Sequence, residues 1–306
     1  MDRPLTILLT GATGYIGARW LQGPSGRVGK VIALVRDLSG EAFSLHAPEH
    51  IEVEVRQGSI PSVDPAALLD GVDIVLHFAA QTPQEADSDL VAVNLEWTKR
   101  LARSCAQRRI KLLFPSTGSV YSGEDGALYA EDTTEISPWG EYASSKYRAE
   151  QALEETPGLS YAIVRLGSVF GYAPRMNTRT AVNAFVDHAA RGEAIEVWKG
   201  AVDQLRPYTY IDDCVGAINL IIDKDLFNGL VYNVVSENQT VRVILRYIHD
   251  HMPQAPITTI ESDRMNDLSF GMDDARIRSL GFHPRGTLEA GIAEMFRARE
   301  ASTPSL

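Results

Sequence analysis

A tyrosine and a lysine four positions apart carry the clearest chemical signal in this chain. Tyr142-Ala143-Ser144-Ser145-Lys146 reads as helix, and at i and i+4 the two side chains share one face, a turn apart. A tyrosine hydroxyl alone titrates near ~10 and is a poor base at neutral pH. A neighbouring ammonium favours the phenolate and lowers that value. The pair can then take a proton from a hydroxyl or return one to a carbonyl. Upstream, Phe114-Pro115-Ser116-Thr117-Gly118-Ser119-Val120-Tyr121 ends an apolar run in hydroxyls. Thr117 or Ser116 can orient a substrate oxygen there and stabilise charge developing on it. A lone Tyr-x-x-x-Lys recurs by chance, and its plain reading is a surface helix with a solvated lysine. Its weight comes from what precedes it.

The first of these is a glycine-rich turn. The apolar run 5–10 passes directly into Gly11-Ala12-Thr13-Gly14-Tyr15-Ile16-Gly17 and then into a helix-like stretch. Glycine lets the backbone turn sharply and approach a pyrophosphate, and the helix N-terminus favours the negative charge. Gly11, Thr13, Gly14, Tyr15, Ile16 and Gly17 are therefore expected to line a dinucleotide. The next strand, 31–35, ends in Arg36-Asp37. An acid at that strand tip selects NAD, whereas an arginine accommodates a 2′-phosphate and favours NADP. Val35 stands where the acid is looked for, so Arg36 points to NADP. The competing readings are that Asp37 does the acid's work one step later, or that Arg36 is simply solvated.

Strands must position these groups. Short apolar runs at 5–10, 31–35, 51–56, 72–78, 111–114 and 161–166 alternate with amphipathic stretches at 15–21, 88–109 and 142–155. In the third of these strands the apolar residues alternate. This order predicts parallel βαβ units, hence an α/β chain with a Rossmann-type doubly wound sheet. After Gly171, helix-like pieces (178–191, 213–223, 241–251) mix with short strands (195–198, 230–235). The expected division is a dinucleotide-binding domain over 1–171, a smaller α+β lobe over 172–300 and a frayed tail over 301–306. Segments of the lobe are free to return to the main sheet.

Composition sets the outer bounds. The chain has 306 residues, 44% hydrophobic and 23% charged, with 29 basic and 40 acidic side chains for a net charge of −11. This is ordinary globular composition. It argues against disorder and against a nucleic-acid binder, which needs a basic excess. No apolar run approaches the ~20 residues that span a bilayer. Nothing before the first strand resembles a leader, and the two cysteines, Cys105 and Cys214, form no framework, so a reducing cytoplasm is expected. His46 and His50 lie four apart in a proline-containing loop without a third ligand, and His249 and His251 point to nearly opposite faces of a helix. No metal site is expected.

With these motifs in order, the chain resembles the extended short-chain dehydrogenases/reductases, in the NAD-dependent epimerase/dehydratase group. Thr10 to Gly17 is similar to the family's TGxxGxxG, and Asp73-Ile74-Val75-Leu76-His77-Phe78-Ala79-Ala80 to its DxVxHxAA. Asn94 falls at the usual asparagine of the following helix. The resemblance places Thr117 as the catalytic hydroxyl and Tyr142 and Lys146 as the catalytic pair. It adds His77, Ala79, Ala80 and Ser116, with Tyr142 and Lys146, to the cofactor contacts. Arg206-Pro207-Tyr208-Thr209-Tyr210-Ile211-Asp212-Asp213 resembles the family's RDFxYVDD, and Leu280-Gly281-Phe282-His283-Pro284 its LGxxP. Both mark members that act on nucleotide sugars. The resemblance thus implies a nucleotide-sugar substrate, with Arg206, and less strongly Arg175 and Arg179, facing its diphosphate. It also implies a homodimer through helices 88–109 and 142–155.

Several positions depart from the pattern. Ser59 stands where the family has an aspartate near the adenine, and Ser122-Gly123 lengthens the VYG segment. Gly167 and Ser168 replace a proline and an asparagine. Gly118-Ser119 after Thr117 replaces the Asp-Glu pair of the dehydratases, which argues against a 4,6-dehydratase. The expected reaction is hydride transfer on a nucleotide-diphosphate sugar, by an epimerase that keeps NAD or a 4-keto-sugar reductase that exchanges NADPH. A reductase of small ketones or aldehydes is the rival enzyme. A non-catalytic dinucleotide sensor on the same fold is the rival of another class.

Overall fold

The computed structural model describes residues 3–38, 45–82, 90–121, 123, 126–134, 136–261 and 268–302. Among them the strands, in chain order, are β1 (Leu5–Thr10), β2 (Val28–Val35), β3 (Glu52–Gln57), β4 (Ile74–His77), β5 (Lys111–Thr117), β6 (Ala127–Tyr129), β7 (Tyr161–Leu166), β8 (Ser168–Phe170), β9 (Ile195–Trp198), β10 (Leu205–Tyr210), β11 (Leu230–Val234), β12 (Glu237–Thr240), β13 (Ile257–Ile260) and β14 (Phe270–Met272). The helices are α1 (Tyr15–Gln22), α2 (Thr98–Arg108), α3 (Gly140–Glu154), α4 (Ala181–Ala190), α5 (Ile211–Asp223), α6 (Val241–His251), α7 (Ala275–Ser279) and α8 (Leu288–Ser302).

A seven-stranded sheet runs β11-β7-β5-β4-β1-β2-β3. It is the expected doubly wound sheet. The chain builds outward from β1 through β2 to β3, then returns to β4 on the other side of β1. Ligands of such sheets bind outside the strand ends at this reversal. The composition of the strands explains the burial. Strands covered on both faces read as unbroken apolar runs, and every residue of β4 and β7 is buried. By contrast β3 lies at the edge and is partly to fully exposed along its length.

The chain divides into two compact units. The first comprises Met1–Val120, Ser137–Arg165 and Val215–Tyr232, the second Tyr121–Ile136, Leu166–Cys214 and Asn233–Leu306. These units interleave along the chain, whereas the expected blocks 1–171 and 172–300 are consecutive. The run 230–235, read as part of the smaller lobe, is β11 and closes one edge of the large sheet.

In the first unit Leu8, Val75, Leu112 and Phe114 of the sheet pack with Leu101, Cys105, Ala149 and Leu153 of the helices. In the second, Val182 and Val186 of α4, Ile244 and Ile248 of α6, and Ile292 and Met295 of α8 cluster with Ile195 and Tyr208. There Gly167 has a clear reason to be glycine. A Cβ would lie 2.8 Å from the Pro207 carbonyl carbon, and its N–H donates to Thr209 Oγ1 at 2.9 Å, a bond that proline cannot make.

The stretch read as one helix over 88–109 is two elements. Val91–Trp97 is π-helical and only then does α2 begin; the first two residues of that stretch lie outside the described residues. The apolar spacing was a faithful guide to burial, since Leu90, Val93, Trp97, Leu101 and Cys105 are all buried. It carries no sign of the wider turn, which inserts one residue into an otherwise helical repeat.

Candidate functional site

The glycine turn is built by backbone crowding. Gly11 has φ of +72° and an added Cβ would lie 2.7 Å from the Ala79 nitrogen; at Gly17 it would lie 2.2 Å from the Gly11 carbonyl oxygen. Any side chain at either position would push the turn apart. Gly14 N–H donates to the Gly11 carbonyl at 2.9 Å. No side chain caps α1, and no acid lies in its first turn, which leaves the helix end suited to an anion. Thr13, Tyr15 and Ile16 are partly exposed around it.

β4 lies beside β1, with Thr10 opposite His77. The His77 ring has Thr10 Oγ1 at 2.8 Å from Nδ1 and Thr98 Oγ1 at 2.9 Å from Nε2. Thr10 Oγ1 also accepts the Ala79 N–H at 3.2 Å. Burial, with the Lys146 charge adding to it, pulls His77 down to about 3, so the ring is neutral and donates from one nitrogen while accepting at the other. His77, expected among the cofactor contacts, has both nitrogens engaged and 1% exposure. Its side chain ties β1, β4 and α2 together, while Thr10 holds the Ala79 N–H; Ala79 and Ala80 are partly exposed beyond it.

Asn94, in the π-helical turn, extends this tie to α3. Its Oδ1 accepts the Gln81 N–H at 2.8 Å, and its Nδ2 donates to the Gln81 carbonyl at 3.0 Å and to Ser145 Oγ at 3.2 Å. The Ser145 hydroxyl donates in turn to the Tyr142 carbonyl at 2.8 Å. The loop after β4 is thereby fixed relative to the turn that carries the tyrosine.

Helix α3 carries the expected pair. Tyr142 is half-buried and Lys146 is 3% exposed. Burial opposes charge on both, raising the phenol to about 12 and lowering the ammonium to about 7. The Lys146 nitrogen lies 3.8 Å from the centroid of the Phe114 ring, on β5, and β5 ends in Ser116 and Thr117. Thr117 is partly exposed, and its Oγ1 accepts the Ser119 N–H at 3.1 Å. Ser116 is 5% exposed and its hydroxyl is buried without a partner among the described residues.

The turn, the loop after β4, Ser116, Thr117, Tyr142 and Lys146 all belong to the first unit. So does Arg36, exposed just past β2. Arg206, Arg175 and Arg179 belong to the second unit. Arg206 is half-buried, donates to Gln204 Oε1 at 2.8 Å and lies 6.0 Å from the Phe270 ring centroid; burial lowers its affinity for a proton. Arg175 and Arg179 are exposed. Among the described residues no group of three or more His, Cys, Asp or Glu side chains is placed to hold a metal ion.

These residues fit a dinucleotide. The turn has no room for a Cβ where a pyrophosphate would need close approach, the helix end above it is uncapped, and Ser116 offers an unpaired buried hydroxyl. Sequence reading missed Thr98 and Phe114, and also the ion pair of Glu150 with Arg165, whose Nη2 donates to Oε2 at 2.7 Å. Glu150 continues the spacing of Tyr142 and Lys146 by one more turn, so a pattern was present. Its partner on β7 was not visible in the spacing.

Comparison with known proteins agrees with this geometry. Residues 7–234 match the model of the NAD dependent epimerase/dehydratase family. The chain is 27% identical to the uncharacterized UDP-glucose epimerase YtcB of Bacillus subtilis, over 80% of this chain and 82% of that one. It is 26% identical to the trifunctional UDP-glucose 4,6-dehydratase/UDP-4-keto-6-deoxy-D-glucose 3,5-epimerase/UDP-4-keto-L-rhamnose-reductase RHM1 of Arabidopsis thaliana, over 94% of this chain but 46% of that longer protein. The fold is similar to UDP-glucuronic acid 4-epimerase from Bacillus cereus, solved with UDP-glucuronic acid and NAD, at a TM-score of 0.84 and 21% identity, covering 98% of this chain and 100% of that one. With its family model covering most of the chain, and the glycine turn and Tyr-Lys helix in place, the protein belongs to the NAD dependent epimerase/dehydratase family.

Proposed function

We propose that this protein transfers hydride on a nucleotide-diphosphate sugar, as an NAD(P)-dependent epimerase or 4-keto-sugar reductase. The observation that carries this reading is a buried Lys146 one helical turn from a half-buried Tyr142, on the helix packed against β5. Bound nicotinamide supplies or accepts the hydride. Tyr142 gives its proton to the substrate oxygen as a carbonyl is reduced, or takes one as a hydroxyl is oxidised. At neutral pH the half-buried phenol keeps its proton. A charged Lys146 is what brings the phenolate within reach. Thr117 orients the same oxygen, and the resemblance to nucleotide-sugar enzymes assigns Arg206 to the diphosphate.

Two further features narrow the reading. The names of the relatives describe epimerase, dehydratase and reductase activities on UDP sugars, which supports a nucleotide sugar here. Thr117 is followed by Gly118 and Ser119, so this strand end provides no carboxylate for elimination, and epimerisation or reduction is favoured over dehydration.

The test has two arms. Denaturing the purified protein and identifying the nucleotide released separates the subclasses: retained NAD marks an epimerase, and an empty site that fills with NADPH marks a reductase. Tyr142→Phe should then bind the cofactor as wild type does while losing at least ~10²-fold in turnover of nucleotide sugars. Undiminished turnover in that variant would sink the assignment. Turnover of simple ketones with none of nucleotide sugars would overturn the substrate class.

A further inference from the structure

Lys146 is 3% exposed, and the contact the structure gives its nitrogen is the face of the Phe114 ring at 3.8 Å. An ammonium so far from water needs compensation from fixed groups. One turn along α3 lies Glu150, 1% exposed. Arg165 of β7, itself 3% exposed, holds that carboxylate: its Nε reaches both oxygens at 3.2 Å and its Nη2 reaches Oε2 at 2.7 Å. At i and i+4 the lysine and the glutamate share the buried face of the helix.

The remaining groups around this face supply no rival counter-charge among the described residues. His77 of β4 is neutral and Tyr142 is protonated. The π-helical turn offers the amide of Asn94, and its Glu96 is exposed. Lys99, Arg100, Arg103 and Arg108 of α2 are partly or fully exposed and carry the wrong sign. Gly118–Val120 carries no charge, Lys111 stands at the far end of β5, and Glu154 on the next turn of α3 is exposed.

We propose that Glu150, anchored by Arg165, and the ring of Phe114 are positioning residues that keep Lys146 protonated and in place, and so set the pH range over which Tyr142 can work. The link to Tyr142 rests on the function proposed above; the claim about Lys146 does not. The plain alternative is that the Glu150–Arg165 pair only fastens α3 to β7.

Titration of Lys146 in the cofactor-free, full-length protein separates the two. The probe is ¹³C-lysine NMR, with the Lys146 resonance assigned by its loss in Lys146→Met. Glu150→Gln should move the titration midpoint down by about one pH unit or more, the usual scale for removing a nearby opposite charge. Phe114→Leu should move it down as well. Should Glu150→Gln fail to fold, the double variant Glu150→Gln/Arg165→Gln, whose amides keep a hydrogen bond, is read in its place and should also titrate below wild type. The alkaline limb of turnover should follow the same shift. Midpoints equal to wild type in folded variants would overturn the proposal, because a fastening role changes stability without moving Lys146. The shift without nucleotide-sugar turnover in wild type would overturn the proposed function alone; normal turnover without the shift would overturn this inference alone.

Discussion

Arg36 is exposed just beyond β2, and the described residues give it no hydrogen bond or ion pair. We propose that this guanidinium, at the tip of the strand beside β1, meets a 2′-phosphate with paired N–H donors. Arg36→Ala should weaken NADPH binding by roughly 10–100-fold, the scale of a lost charge-assisted hydrogen bond, and leave NADH binding unchanged. Equal weakening of both, read by cofactor fluorescence titration, would refute the 2′-phosphate role. The glycine turn of Gly11, Gly14 and Gly17 and the shared helix of Tyr142 and Lys146 were legible in the sequence, because residue type and local spacing set both. His77 shows the limit. Its motif pointed to the cofactor, but Thr10 and Thr98, far apart in the chain, occupy both its nitrogens.

At the scale of elements, the clearest case is how one carboxylate holds a loop. Asp213, in the first turn of α5, is 6% exposed. It accepts the Arg285 N–H at 2.8 Å, the Gly286 N–H at 3.0 Å and the Ser236 hydroxyl at 2.6 Å. Gly286 has to sit close, because a Cβ there would lie 2.3 Å from the Tyr210 ring. The two C-terminal motifs of the sequence, Tyr210 to Asp213 and the segment after Leu280, are thus halves of one latch. Asp213→Ala would leave those part-buried donors without their acceptor, and should cost about 1–3 kcal/mol. Asp213→Asn, which keeps one acceptor oxygen, should cost less. Urea unfolding with an unchanged m-value checks both, and an alanine variant as stable as wild type would show that the latch is idle. The elements themselves were legible in proportion to their periodicity. Buried strands such as β7 and amphipathic helices such as α6 stand out. The three-residue strands β6, β8 and β14 do not, because so few residues make no pattern and distant partners define them. α8 was also missed, although Leu288, Gly291, Ile292, Met295 and Phe296 recur at helical spacing and are its buried residues. The helix packs against α4 and α6, and its apolar stripe was simply not read.

For the whole molecule, buried titratable groups predict how stability follows pH. The chain carries a net charge of −11 at pH 7 and a pI near 5.1, so acidification toward pH 5 relieves self-repulsion and by itself favours the compact state. His77 acts in the opposite direction. Its native value is about 3, against an ordinary ~6.5 when unfolded. Between those values the unfolded chain binds a proton that the native one refuses, so stability falls as pH drops, by about 1.4 kcal/mol per pH unit from this group. Lys146 acts on the other side, below the range where thiols titrate. With a native value of about 7 and an unfolded value near ~10.4, it makes the cofactor-free protein more stable as pH rises from 7 toward ~8; above ~8.5 the thiols of Cys105 and Cys214, which burial keeps protonated in the native state, ionise only in the unfolded chain and act in the opposite direction. Urea unfolding of the cofactor-free protein at about pH 5, 6.5 and 8 should therefore show stability rising across this range, below the point where unfolded thiols ionise. His77→Gln should flatten the acid side, and Lys146→Met the alkaline side. A stability maximum near pH 5, where the net charge vanishes, would mean that surface repulsion outweighs these two buried groups.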